Sequence, residues 1–120
     1  MIWRFTYILN GFDVQDETLK ANGTYSGSIR QFVADSGKWY VHWYSNKNPT
    51  TTLSTWEGGK KEDNHVMYKA QKAPNGMDGF SRLSFKDISK KGFNWVQEWE
   101  DKKETIIFPT WKISCLKREE

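Results

Sequence analysis

The chain has 120 residues but only one cysteine, three prolines and no apolar run long enough to cross a membrane as a helix. The single cysteine, Cys115, excludes an internal disulfide and a multi-cysteine metal site, and it suits a reducing compartment. The N-terminus has no charged segment followed by a long apolar stretch, so no signal peptide is predicted. We therefore expect a cytoplasmic protein without membrane contact, folded as one domain over residues 1–120.

A strong excess of one charge is also lacking. Lys and Arg total 18 and Asp and Glu total 15, which leaves a net charge of +3. The signs are mixed in Lys60 to Asp63 and in Asp101 to Glu104, which is typical of solvated turns and not of a phosphate-binding stripe. No phosphate-binding loop, hydrolase elbow or metal-ligand spacing occurs. The sequence therefore predicts no nucleic-acid partner, no metal and no cofactor.

Tryptophan, by contrast, is abundant, with seven in the chain. Trp39 and Trp43 are four residues apart, and so are Trp95 and Trp99. Side chains two and four positions apart on a strand point to the same face, so each pair is predicted to share a face. The residues that alternate with the second pair are mostly polar. This alternation indicates a sheet with one aromatic face and one more polar face.

Turn signals separate runs that are rich in aromatic and β-branched residues. Such spacing is typical of an antiparallel sandwich or barrel, and closing a barrel would remove exposed sheet edges. Pro109 predicts a bulge or an edge position in the last run. Nine strands are predicted, over residues 3–9, 13–19, 26–34, 39–45, 52–58, 64–72, 79–87, 92–100 and 105–117.

Several segments, taken in chain order, resemble a known family. They are Trp3 to Gly11 with Val14 to Asp16, then Asp35 to Trp43, Trp56 to Gly59, Arg82 to Ile88, and Phe93 to Trp95 with Trp111. Together they resemble an uncharacterised lipocalin-like family of small single-domain proteins. The resemblance implies an all-β fold, an antiparallel lipocalin-like (calycin-type) β-barrel or half-open barrel of about eight to nine strands.

Two departures from the family pattern accompany this resemblance. Family members usually carry a further N-terminal strand, which implies a truncated barrel here or one that a partner completes. Asp101-Lys102-Lys103-Glu104 replaces the usual Gly-Gly hairpin before the last strand.

The interior of such a barrel is the predicted site. Barrels of about eight strands are either filled by side chains or hold one small ligand, and the sequence leaves both open for the indoles. Arg82 and Gln97 lie between apolar neighbours, where a polar group must find a partner or orient a ligand. Glu57 and Glu98 are the candidate partners of Arg82. The predicted ligand-binding residues are Trp39, Trp43, Trp56, Arg82, Trp95, Gln97 and Trp99.

The remaining chemistry-bearing residues favour structural roles. His42 is predicted on the face opposite the neighbouring tryptophans, Glu98 and Glu100 are predicted in solvent, and Cys115 is predicted to be a buried, inert thiol. No catalytic residue is predicted. We expect a protein that binds a small apolar ligand. The first alternative is a structural domain that self-associates as a homodimer, and the second is an enzyme using Arg82 with an acid.

Overall fold

The computed structural model describes residues 1–117, which fold almost entirely as β-strands. A short 3-10 turn, Leu9–Gly11, joins the first two strands. The nine strands of the described residues confirm the predicted all-β class and the predicted strand number. They are β1 Ile2–Ile8, β2 Asp13–Leu19, β3 Tyr25–Val33, β4 Lys38–Ser45, β5 Ser54–Lys61, β6 Asn64–Ala70, β7 Gly79–Ser89, β8 Gly92–Asp101 and β9 Ile107–Leu116.

The strand order follows the chain order, from β1 to β9. The pairs β1–β2, β2–β3, β3–β4, β6–β7, β7–β8 and β8–β9 are all antiparallel, as short turns between consecutive strands require. The chain divides into two compact units, Met1–Glu57 and the residues from Gly58 onward, so the boundary falls inside β5. Among the described residues, no helix has the length and apolar character needed to cross a bilayer.

The register of β1 to β4 defines the faces of the first unit. Phe5 pairs with Asp16, Asp16 pairs with Ser28, and Ser28 pairs with Trp43, so these four residues form one row across the four strands. Paired residues share a face and successive residues alternate. We call the side that carries this row the aromatic face. Its aromatic members on β1 to β4 are Trp3, Phe5, Tyr7, Phe32, Trp39 and Trp43.

The register of β7 to β9 sorts the residues of the second unit in the same way. Ser81 pairs with Trp99, and Gln97 pairs with Trp111 on β9. Trp95 lies on the same side by alternation along β8. We call this side the tryptophan face. The opposite side of the same strands carries Arg82 paired with Glu98.

A bulge in β9 confirms the prediction made for Pro109. Gln97 pairs with Trp111 while Glu98 pairs with Pro109, so Thr110 is an extra residue on β9. The Thr110 hydroxyl donates a hydrogen bond of 3.0 Å to the Gln97 carbonyl oxygen. Proline lacks a backbone N–H for the ladder, and a bulge accommodates that loss.

The buried residues include as many polar as apolar side chains. The buried apolar residues are Val41, Trp56, Val66, Met67, Leu83, Trp95 and Trp99. The buried polar residues are Asp13, Asp16, Ser28, Ser45, Ser81, Ser84 and Glu100. Buried polar groups need hydrogen-bond or ionic partners, so the interior of this fold depends on where those partners lie.

Candidate functional site

A buried carboxylate forms the floor of the aromatic face. Asp16 is 4% exposed and Ser28 is 3% exposed. The Ser28 hydroxyl donates a hydrogen bond of 2.6 Å to Asp16 Oδ2, and Arg30 Nη1 donates to the same oxygen. These two donors compensate the desolvation of the carboxylate, because a buried charge is tolerated when it is paired and hydrogen-bonded.

An aromatic ring stands at each end of the row that contains Asp16 and Ser28, and both rings are half-exposed. Phe5 is 45% exposed at one end of the row, and Trp43 is 38% exposed at the other. Trp3 stacks on Phe5 with ring centroids 5.4 Å apart and an interplanar angle of 22°. The Arg30 guanidinium lies 5.3 Å from the centroid of Phe5, which is cation–π distance. The aromatic face therefore has a buried polar floor and accessible aromatic walls.

Further along this face, Phe32 and Trp39 are neighbours with ring centroids 5.4 Å apart. Phe32 is half-exposed, whereas Trp39 is partly buried. Trp56 joins the same face because it alternates with Thr55, whose hydroxyl contacts His42 on the opposite side. The structure thus brings together three of the predicted site residues: Trp39, Trp43 and Trp56.

The tryptophan face of the second unit brings together three others, Trp95, Gln97 and Trp99. The Trp99 indole N–H donates a hydrogen bond of 2.9 Å to the Gln71 carbonyl oxygen, and Gln97 Nε2 donates one of 3.1 Å to the Ser81 hydroxyl. Trp95 packs edge-to-face on Trp111, with centroids 5.5 Å apart. Trp95 and Trp99 are buried, so these two indoles belong to the core of the second unit.

Gly79 allows the Trp99 ring to lie across β7. A Cβ atom at this position would come within 2.4 Å of the indole and within 2.3 Å of the Glu100 carbonyl oxygen. No side chain fits in that space without moving the indole or the backbone. Trp99 is therefore held by its hydrogen bond to Gln71 and by a glycine beneath its ring.

Arg82 is separated from the other predicted site residues of its unit, because it lies on the face opposite Trp95, Gln97 and Trp99. Its Nη2 donates a hydrogen bond of 2.9 Å to Glu98 Oε1, so the predicted pairing with Glu98 is confirmed. Its Nη1 lies 3.0 Å from Glu100 Oε2, an ion-pair distance without hydrogen-bond geometry. The other candidate partner, Glu57, lies 3.5 Å from Lys38 Nζ.

The prediction that Glu98 and Glu100 are solvated is wrong. Glu100 is 1% exposed, and the Glu98 side chain is 15% exposed. Burial raises the pKa of Glu100 above its usual range, although the charge of Arg82 acts in the opposite direction. Burial alone would lower the pKa of Arg82, but the hydrogen bond to Glu98 and the charge of Glu100 raise it overall. Arg82 therefore forms ion pairs with Glu98 and Glu100 inside the fold.

His42 lies on the side of the first unit opposite the aromatic face, as predicted. Gln31 Nε2 donates to Asp13 Oδ2 at 3.2 Å, which leaves Gln31 Oε1 as an acceptor for His42 Nε2–H at 3.1 Å. His42 Nδ1 then accepts from the Thr55 hydroxyl at 3.0 Å. The contacts from Asp13 through Gln31 and His42 to Thr55 link β2, β3, β4 and β5.

Cys115 is half-buried on the tryptophan face, paired with Phe93. Burial raises the pKa of its thiol, which lowers the fraction of reactive thiolate at neutral pH. This agrees with the predicted inert thiol, although the side chain is less buried than predicted.

Sequence reasoning missed the polar floor formed by Asp16, Ser28 and Arg30. The available signal was alternation, because Asp16 lies two residues from Val14, and Ser28 and Arg30 alternate with Ile29. Alternation assigns each residue to a face of its own strand. It does not say which residue of the next strand stands opposite, and that register brings Asp16 to Ser28.

Comparison with models of protein families, with curated proteins and with solved structures finds no match for this chain. The resemblance to a lipocalin-like family therefore stays a prediction.

Proposed function

We propose that this protein binds a small, largely apolar molecule on the aromatic face of its first unit. The observation that carries the proposal is the contrast between floor and walls. Asp16 and Ser28 are buried and paired, while Phe5 and Trp43 in the same row remain half-exposed. Ligand sites are mostly apolar and aromatic, with a few fixed polar groups, and this face has that composition.

The spacing of the row supports a ligand of modest size. Phe5 on β1 and Trp43 on β4 are separated by three inter-strand steps, which amounts to about 14 Å along the sheet. Two fused or linked aromatic rings fit between side chains at that separation. Aromatic contacts contribute about 0.5–1.5 kcal/mol each beyond the burial of area, so two walls give useful affinity.

Titration with N-phenyl-1-naphthylamine, an uncharged probe that fluoresces in apolar surroundings, tests the proposal. We expect saturable binding by the wild type and about tenfold weaker binding by Trp43→Ala, because one wall is lost. Trp111→Ala is the matched control, since Trp111 is a half-exposed indole of the second unit. Equal losses in the two variants, or no binding by the wild type, would contradict the proposal.

Self-association is the second candidate function, and exposed apolar residues on and next to β9 favour it. Phe108 is 65% exposed, and Ile106, Ile107, Trp111 and Leu116 are exposed as well. Exposed apolar side chains on a strand at the edge of a sheet are a typical site for pairing with a second copy. Light scattering over a range of concentrations tests this. A dimer that Phe108→Glu converts to a monomer would support it, and a monomer at every concentration would contradict it.

Two finer proposals accompany the first. Membership of a lipocalin-like family is supported by the sequence segments that resemble the family and occur in the same order along the chain. Ligand binding by a β-sheet protein agrees with that membership. A cytoplasmic location rests on the single cysteine, Cys115, because secreted domains of this size commonly use disulfides.

A further inference from the structure

We infer that the ligand of the aromatic face is an uncharged aromatic compound and not an anion such as a fatty acid. This inference rests on the proposed function and names the class of ligand. The observation behind it is the charge balance of the face. Of the strand residues of β1 to β4 that share this face, only Asp16 and Arg30 are charged, and they form an ion pair with each other.

The pairing places a negative charge beside Arg30, which opposes the approach of an anionic head group. An incoming carboxylate would approach Asp16, which lies in the same row as both walls and accepts from Arg30 and Ser28 through one oxygen. A carboxylate that reached the other donors of Arg30 would lie beside the Asp16 carboxylate and be repelled by it, and one that took the place of Asp16 would have to displace a buried aspartate. Breaking a buried ion pair is unfavourable, because it leaves the remaining charge without compensation.

The walls, in turn, complement a flat ring. The Arg30 guanidinium lies against Phe5, and Trp3 stacks on the same phenyl ring. This contact holds Phe5 and the guanidinium together, while Trp43 stands at the far end of the row. Two fused or linked apolar rings between them gain aromatic contacts at both ends without disturbing the ion pair.

Two probes with the same ring system separate charge from shape. N-phenyl-1-naphthylamine is uncharged, and 8-anilino-1-naphthalenesulfonate carries the same rings with an added sulfonate. Each probe is titrated against the wild type and against Trp43→Ala, and only the binding that this variant weakens is assigned to the aromatic face. For that part, we expect the uncharged probe to bind the wild type at least about tenfold more tightly than the sulfonate.

A charge variant should abolish this preference. Asp16→Asn keeps an acceptor for Ser28 but removes the negative charge beside Arg30, so sulfonate binding should strengthen by about tenfold relative to binding of the uncharged probe. Glu17→Gln is the matched control, because Glu17 is the next residue on β2, is exposed and pairs with Arg4 on the opposite face. It makes the same change in net charge and should leave both affinities unchanged.

The outcomes distinguish this inference from the proposal on which it rests. If neither probe shows binding that Trp43→Ala weakens, the proposed function is wrong and this inference falls with it. If both bind there and the sulfonate binds as tightly as the uncharged probe, the function stands and the inference is overturned. Circular dichroism checks that Asp16→Asn is folded, and the comparison of the two probes on the wild type decides the matter if it is not.

Discussion

The ion pair between Asp16 on β2 and Arg30 on β3 should contribute strongly to the stability of the fold, because one partner is almost fully buried. Arg30→Gln leaves a carboxylate that is 4% exposed with only the Ser28 hydroxyl as a donor, and we expect it to destabilise the fold by about 3 kcal/mol. Asp16→Asn leaves Arg30, whose side chain is 17% exposed, and should destabilise the fold by about 2 kcal/mol. Because Arg30 is partly exposed, water can solvate its guanidinium when Asp16 no longer carries a charge, so the loss of stability is smaller.

Urea denaturation of the wild type, the two single variants and the double variant measures the coupling. The double variant removes both charges, so it should be destabilised by about 2 kcal/mol less than the sum of the single variants. Lys38 and Glu57 supply the control, since they form an exposed pair on the opposite side of the same unit. Their coupling should be below about 0.5 kcal/mol. A coupling energy below about 0.5 kcal/mol for Asp16 and Arg30 would show that the ion pair does not hold the buried carboxylate in place.

Three further predictions concern the second unit. Burial raises the pKa of Glu100, so its ionised form lowers stability at pH values above the folded-state pKa, and this effect is absent below the unfolded-state pKa. Glu100→Gln should therefore raise the melting temperature at pH 8 and lose this advantage near about pH 4, and a lower melting temperature at pH 8 would contradict this. Gly79→Ala should destabilise the fold by about 1–3 kcal/mol and shift the emission of Trp99, and an unchanged urea midpoint would show that the indole does not lie on the glycine. Cys115 should react with iodoacetamide at pH 7.5 more slowly than glutathione does, because burial raises its pKa, and an equal or faster rate would show that it is activated.

The strands were the most predictable part of this fold. Side chains on a strand alternate strictly, so Trp39 and Trp43 share a face, as do Trp95 and Trp99, whatever the rest of the chain does. The turns were equally readable, and every strand found lies where a run between turn signals predicted one. Pro109 predicted its own bulge for a local reason, the missing N–H.

The burial of individual residues was much less predictable. Glu100 lies near a charged turn and was expected in solvent, but Arg82 on the neighbouring strand pairs with it and the residue is fully buried. Trp43 was expected to point inward and is 38% exposed. The burial of Glu100 and the exposure of Trp43 both depend on which residue of the neighbouring strand lies opposite. A shift of register by one residue would change every such neighbour, and no local pattern in the sequence fixes that register.

A ligand on the aromatic face of the first unit should change the positions of some, and only some, of the seven indole N–H signals in an amide-correlation NMR spectrum. The protein is labelled with nitrogen-15 and titrated with N-phenyl-1-naphthylamine. We expect the signals of Trp3 and Trp43 to move with a common saturation curve, while those of Trp95, Trp99 and Trp111 stay in place. Movement confined to the signals of Trp95 and Trp99, or no movement of any indole signal, would contradict it.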